Sequence, residues 1–218
     1  MKYKELVNNK EINAYLKKGD ENLGLLGFTD HSKAHCMQVA HQAGKILERF
    51  GYPEHDIELA KIAGLMHDIG NMINRTRHAE YGALLANEIL KKTDMPLEDR
   101  ITVVSAIGNH DESTGGPIDV VSAALIIADK TDVRRSRVRQ KEKALFDIHD
   151  RVNYAVTESK LKISKDKSVI ALNLQIDEKI CSMYDYFEIF LERMMLCRKS
   201  AEILGTTFKL TVNGRKVL

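Results

Sequence analysis

The apolar positions of the chain change period near residue 150. Before that point they recur at the three- and four-residue spacing of helices; after it, stretches of strict alternation appear. Leu6, Ile12 and Leu16 form the apolar side of a charged segment, 2–18, which Gly19-Asp20 is expected to stop, and Gly24 and Gly27 mark a loop. Thr29-Asp30 offers an N-cap for a helix reaching about Phe50, where Gly51-Tyr52-Pro53 breaks it. The next helix runs from about Glu54 toward Met66-His67-Asp68, and further helices are expected at 77–92, 97–109 and 119–140. Pro96 and Gly115-Gly116-Pro117 punctuate them.

After residue 150, Ile170, Leu172, Leu174 and Ile176 alternate as in a strand, with a shorter strand at Leu161 and Ile163 and a turn at 164–168 between them. Phe208, Leu210 and Val212 alternate again before Asn213-Gly214, a tight-turn pair. A long helix from about Glu178 to Leu204 lies between these strands. Its stripe of Ile180, Met183, Phe187, Phe190, Met194 and Cys197 reads either as a homodimer seam or as a core face covering the small sheet. The core reading is preferred, because isolated strands need cover. The expected architecture is therefore mainly α: a helical bundle, then a small α+β segment with a short antiparallel sheet and one long helix.

Composition narrows the function. The 218 residues are 44% hydrophobic and 29% charged, and the formal charge of +2 supplies no global field for nucleic acid. No apolar run approaches the ~18 residues of a membrane span, and MKYKELVNNK lacks the apolar core of a secretion signal. Cys36, Cys181 and Cys197 are too few and too scattered for a disulfide framework, so a reducing cytoplasm is the expected home.

Three apolar runs end in polar groups. Ile62-Ala63-Gly64-Leu65-Met66 runs into His67-Asp68, Ile101–Ile107 leads to Asn109-His110, and Val120–Ala128 ends in Asp129. A carboxylate at the end of a buried helix must be compensated. Several Asp and His arriving this way suggest a divalent cation. His35, one helical turn after His31, adds a further imidazole; a pair at this spacing can share a metal on one helix face.

His35, His67-Asp68 and Asp129, in that order and with Gly64-Leu-Met-His-Asp-Ile-Gly70 and Ile126-Ile-Ala-Asp-Lys-Thr-Asp132 around them, resemble the H…HD…D pattern of the HD-domain metal-dependent phosphohydrolases. The resemblance covers about residues 27–140. It implies a division into a helical lead-in (1–26), the HD domain (27–150) and an α+β segment (151–218). It also implies that His35, His67, Asp68 and Asp129 hold one ion. His78, in His-Ala-Glu-Tyr-Gly-Ala, and His110, in Gly-Asn-His-Asp-Glu, resemble the extra ligands of a binuclear subset that includes the HD-GYP phosphodiesterases. By that resemblance they help to hold a second ion, with Asp68 bridging. The other reading makes His78 a surface residue at a helix start and His110 a helix-end cap. The metals expected are Fe, Mn, Co, Zn or Mg.

Two departures remove cyclic-dinucleotide specificity from the expectation. Asn71 stands where the HD-GYP group has Lys, and the one Gly-Tyr-Pro, at 51–53, precedes the His-Asp pair. The function implied is hydrolysis of a nucleotide or other small phosphate ester, with metal-activated water attacking phosphorus. Asp68 is then catalytic, Asp111 and Glu112 handle protons, and Arg75, Arg77, Lys130 and Arg134 contact phosphate. Arg134 opens a basic segment, Arg134–Lys143, whose later residues read alternatively as a solvated helix face. The competing function is a non-catalytic regulatory protein on the same scaffold.

Overall fold

The computed structural model describes residues 1–139 and 148–218. Its elements are α1 (Tyr3–Val7), α2 (Lys10–Leu25), α3 (Lys33–Phe50), α4 (Glu54–Met66), α5 (His78–Leu90), α6 (Leu97–Gly108), α7 (Val120–Lys130), α8 (Ile148–Ala155), β1 (Val156–Ile163), β2 (Val169–Ile176), α9 (Met183–Ile203), β3 (Thr207–Val212) and β4 (Arg215–Lys216). Short 3₁₀ turns lie at Ile69–Met72 and Arg135–Arg137. No helix among the described residues is long and apolar enough to cross a membrane.

The bundle is built around two helices that are apolar on most sides. In α7 every residue from Val121 to Ala128 is buried, and α4 buries Ile57, Leu59, Ala60, Ile62, Ala63, Leu65 and Met66. Each fully buried Leu or Ile contributes about 1.5–3 kcal/mol, so these two helices fix the centre of the molecule. Against them lies α3, which buries Cys36, Val39, Ala40, Ala43, Ile46 and Leu47 and shows water its opposite face. Gly64 lets α3 and α4 approach closely: a Cβ there would stand 2.6 Å from Ala40 Cα.

Several boundaries differ from those the sequence suggests, each for a local reason. The first segment is two helices, because Asn9 Oδ1 accepts from the backbone N–H groups of Glu11 (2.9 Å) and Ile12 (3.1 Å) and caps a new start. Gly19-Asp20 does not end α2. Gly19 is buried inside it, and a Cβ there would stand 3.1 Å from Met72 N; this glycine serves helix packing rather than termination. The N-cap of α3 is Ser32, not Thr29-Asp30. The helix expected over 119–140 stops at Lys130, so Arg134 has no helix to ride on. Residues 131–139 continue it only as a 3₁₀ turn at Arg135–Arg137, and residue 140 with the rest of the basic run to Lys143 lies outside the described residues.

The sheet has the order β1-β2-β3-β4. Its outer pairings, β1 with β2 and β3 with β4, are antiparallel as expected, but β2 and β3 pair in parallel, from Val169↔Thr207 to Leu174↔Val212. A parallel pair needs a long crossover, and α9 is that crossover. The Asn213-Gly214 hairpin has both residues at positive φ (49° and 76°), as a type I′ turn requires. The apolar stripe of α9 belongs to the core. Phe190, Met194 and Cys197 are buried, while Ile180, Met183 and Phe187 pack against that core, and the helix contacts α7 as well as β3. The stripe is thus covered within one chain and does not form a free dimer seam. One continuous core joins the bundle to the sheet.

Candidate metal centre and its cavity

Six side chains from five elements converge where the apolar helices end. His35 comes from the first turn of α3, His67 and Asp68 from the chain leaving α4, His78 from the start of α5, His110 from the residue pair after α6, and Asp129 from the last turn of α7. Three of the histidines are fixed by one local device. His67 Nδ1 donates to Gly64 O (2.8 Å), His78 Nδ1 to Arg75 O (3.0 Å) and His110 Nδ1 to Ile107 O (2.6 Å), each reaching a carbonyl three residues earlier. His35 Nδ1 donates instead to Asp132 Oδ2 at 2.7 Å. A carbonyl or carboxylate oxygen can only accept, so all four rings carry a proton on Nδ1 and turn Nε2 inward. This is the arrangement a metal-binding imidazole needs.

The inward atoms form two groups that share Asp68. In the first, His35 Nε2 lies 3.4 Å from Asp129 Oδ1 and 3.8 Å from Asp68 Oδ2, and His67 Nε2 lies 3.7 Å and 3.4 Å from the same two oxygens. In the second, His78 Nε2 lies 3.1 Å from His110 Nε2 and 3.8 Å from Asp68 Oδ1. Asp68 therefore presents one oxygen to each group, and Asn71 Nδ2 donates to Oδ1 at 2.7 Å to set the carboxylate plane.

The residues fit divalent ions on their own geometry. His35 Nε2, His67 Nε2 and Asp68 Oδ2 are buried and have no hydrogen-bond partner, an arrangement that costs about 1–3 kcal/mol per group unless something fills it. Two donors sharing an ion at about 2.1 Å stand about 3.0–3.4 Å apart, close to the shortest separations in both groups. An imidazole and carboxylate set suits transition metals. Cys36 lies beside His67 and Asp68, but burial, and then the Asp68 and Asp129 carboxylates, push its thiol well above the ordinary range. It stays protonated and is a poor ligand.

Electrostatics separate the two groups. Burial works against a charge on His67, yet the Asp68 and Asp129 carboxylates outweigh it and raise the imidazole to about 10. His78 is pulled down to about 4 by burial and then by the Arg75 guanidinium. His110 falls to about 3, through burial and then its His78 and His67 neighbours. Burial would raise the Asp68 carboxyl, but His67 and then His31 hold it well below its usual value.

Beside this cluster lies a cavity of about 230 Å³, walled in part by Phe28, Thr29, His31, Arg75, Lys130, Arg137 and Arg193 along with Asp68, His78 and Asp129. Arg75 Nη1 donates to Asn71 Oδ1 at 3.3 Å. Lys130 Nζ is ion-paired with Asp129 (2.9 Å) and Glu112 (2.6 Å), and Glu112 Oε1 accepts from Arg193 Nε at 2.8 Å. Burial alone would raise the Glu112 carboxyl; Lys130, then Arg193, hold it well below the carboxylate range, which makes it a weak base. Asp111 accepts from the Ser113 N–H and hydroxyl, with its other oxygen 3.6 Å from His78 Nε2. Arg77 is exposed at the start of α5 and does not line the cavity. Arg134 Nη2 donates to Asp132 Oδ2 at 3.0 Å and lines a separate groove with Gln38, Gln42 and Ser159.

Three cavity or supporting residues, Asp132, Arg137 and Arg193, are not evident as site residues from the sequence, and His31, paired there with His35, sits in a different setting. His31 precedes α3, so it forms no helical pair with His35, but its ring lines the cavity 5.7 Å from the His35 ring. Asp132 stands three residues beyond Asp129, a spacing that could have flagged it. Arg137 and Arg193 carry no local signal, since only the fold brings the segment after α7 and the middle of α9 to this wall.

Residues 33–164 match the profile of the HD domain. The chain belongs to the HD domain family, whose members bind divalent metals. It is 28% identical over 192 residues to the uncharacterized protein MJ1020 of Methanocaldococcus jannaschii, covering 78% of this chain and 74% of that one. It is 32% identical over 117 residues to ribonuclease Y of Aliarcobacter butzleri and 33% identical over 110 residues to that of Deinococcus radiodurans, covering 52% and 49% of this chain. It spans only 20% and 17% of those ribonucleases. A solved structure from an uncultured Thermotogales bacterium, described as a predicted HD superfamily hydrolase, aligns with 62% of this chain and 75% of its own at 23% identity and a TM-score of 0.46.

Proposed function

We propose that this protein is a metal-dependent phosphohydrolase of a small phosphate ester, a nucleotide being the leading class, working with two divalent ions. The observation that carries this reading is Asp68, which offers its two oxygens to two separate groups of inward-facing Nε2 atoms beside a cavity rich in cations. His35, His67, Asp68 and Asp129 would hold one ion, and Asp68, His78 and His110 the other. Such a pair lowers the pKa of water and neutralises phosphoryl oxygens during in-line displacement.

The chain's own groups supply binding and orientation. Asp132 fixes the His35 ring, Asn71 fixes Asp68, and the Lys130–Glu112 pair holds the outer oxygen of Asp129. Arg75, with a guanidinium facing the cavity, is the phosphate contact within the HD domain. Lys130 is committed to Asp129 and Glu112, so it acts by positioning. Asp111, beside His78, is the carboxylate best placed to accept a proton, because Glu112 is already saturated by two cations. The partial match to enzymes named ribonuclease Y supports a phosphate ester of nucleotide origin. A reducing compartment is part of this reading, supported by three buried unpaired thiols.

The experiment is a turnover screen of protein loaded with Mn²⁺, Fe²⁺, Co²⁺ or Mg²⁺ over nucleotides, short oligonucleotides and nitrophenyl phosphate mono- and diesters. Metal-dependent release of phosphate or alcohol, abolished in Asp68→Ala, is the expected result. A protein that retains metal yet turns over none of these esters would favour the non-catalytic regulatory role.

A further inference from the structure

Four basic side chains line the cavity, and two of them are fully engaged. Lys130 is ion-paired with Asp129 and Glu112, while Arg137 gives Nε and Nη2 to Asp30 O (3.0 and 2.9 Å) and Nη1 to Asp132 O (2.9 Å). The other two, Arg75 and Arg193, keep guanidinium nitrogens without a hydrogen-bond partner among the described residues. Arg75 engages only Nη1, and Arg193 engages only Nε.

Arg193 is the unexpected member. It sits in α9, beyond the residues matched to the HD domain. Two contacts hold its plane: Nε on Glu112 Oε1 at 2.8 Å, and Cζ 4.8 Å over the Phe190 ring. Phe190 is itself buried in the core. The side chain is 24% exposed and lines the cavity. Lys130 is shared between Asp129 and Glu112, so Arg193 completes the neutralisation of Glu112, and it does so through Nε alone. What Arg193 adds is a pre-oriented pair of N–H donors, Nη1 and Nη2, in the geometry that suits a phosphoryl group.

We propose that Arg193 is a specificity-determining residue that binds the anionic phosphoryl oxygens of the substrate, so that the C-terminal α+β segment completes the site of the HD domain. The proposal rests on the phosphohydrolase reading above. Its rival is a positioning role, in which Arg193 acts only by holding Glu112 and, through it, Lys130 and Asp129.

The test uses inorganic phosphate as the probe, titrated calorimetrically into Mn²⁺-loaded full-length protein. Arg193→Gln should weaken phosphate binding by about 10-fold or more, the scale of a lost charge-assisted hydrogen bond, with bound Mn²⁺ and the circular dichroism spectrum unchanged. Arg193→Lys, which keeps the charge and loses the fork, should fall between the two. The same substitution made in a Glu112→Gln background should still weaken phosphate binding, because the contact is with the ligand. In turnover, the Arg193 variants should raise KM more than they lower kcat. Unchanged phosphate affinity in Arg193→Gln, or an effect that vanishes in the Glu112→Gln background, overturns the proposal and leaves the phosphohydrolase reading standing. If the wild-type protein binds no phosphate, both fall together. A loss of bound Mn²⁺ in both Arg193 variants would assign the residue to the positioning role instead.

Discussion

The Nε2 atoms of His78 and His110 face one another at 3.1 Å, while the Nδ1 atom of each ring donates to a backbone carbonyl. Two lone pairs pointed at each other in a buried site repel unless a cation lies between or beside them. A proton is a poor candidate near neutral pH, because burial and neighbouring positive groups pull both imidazoles down, to about 4 and about 3. A divalent ion shared with Asp68 meets the need. His110→Ala should therefore reduce the metal-to-protein ratio from two to one, read by elemental analysis after gel filtration. His78→Ala should do the same, and a ratio equal to wild type in both would return these residues to a capping role.

Asp132 governs the first group from one bond away. Its Oδ2 accepts from His35 Nδ1 at 2.7 Å, and such outer partners typically contribute 10–100-fold to metal affinity. Asp132→Asn should weaken metal binding by that order while leaving the fold intact, as measured by competition with a chelator.

The same residue shapes the acid limb of stability in chelator-treated protein. Burial would raise the Asp132 carboxyl, but the His35 hydrogen bond and then Arg137 outweigh it and hold the group at about 2. A depressed folded-state value gives stability that is present above the unfolded value near 3.9 and lost as pH falls through the folded one. The contribution is about 2 kcal/mol. Urea unfolding at pH 6 and at pH 2.5 should therefore show a smaller acid-induced loss in Asp132→Asn than in the wild type.

The contact of α3 with α4 sets the spacing of His35 and His67. A methyl group at Gly64 would stand 2.6 Å from Ala40 Cα and 2.8 Å from Ala40 N, both backbone atoms that cannot rotate away. Gly64→Ala should cost about 1–3 kcal/mol through overpacking and should lower metal affinity with it. Denaturant midpoints and a metal titration read the two effects together.

Cys36, Cys181 and Cys197 are buried and unpaired. Burial, and then the Asp185 carboxylate, push the Cys181 thiol up to about 11, and burial raises the other two as well. The thiolate is the reactive form, so native protein at pH 8 should take up almost no iodoacetamide. Labelling should begin at Cys181 as pH rises toward 11, and unfolded protein should accept three labels.

The helices, and the polar groups that end them, were legible in the sequence because they depend on local pattern. Apolar runs ending in His67-Asp68, His110 and Asp129 point to polar groups at the ends of buried helices, and the structure brings those ends together. Where the pattern misled, a non-local contact decided the matter. Gly19-Asp20 looked like a helix stop, but Gly19 is needed where α2 crosses the backbone of Asn71 and Met72. The parallel pairing of β2 with β3 follows from the α9 crossover, which alternation alone does not reveal. Arg134 follows Asp129 closely, yet its chain leaves the helix and turns to another groove. Arg193 stands 64 residues beyond Asp129 by numbering and reaches the cavity only because α9 packs on α7.

Diffraction from Mn²⁺-soaked crystals at the manganese absorption edge will show whether Asp68 joins two ions in one centre. Two anomalous peaks are expected, one among His35, His67, Asp68 and Asp129 and one among Asp68, His78 and His110, each about 2.0–2.3 Å from a different Asp68 oxygen. A single peak with His78 and His110 unligated, or peaks that leave Asp68 uncoordinated, would contradict the bridging role of Asp68.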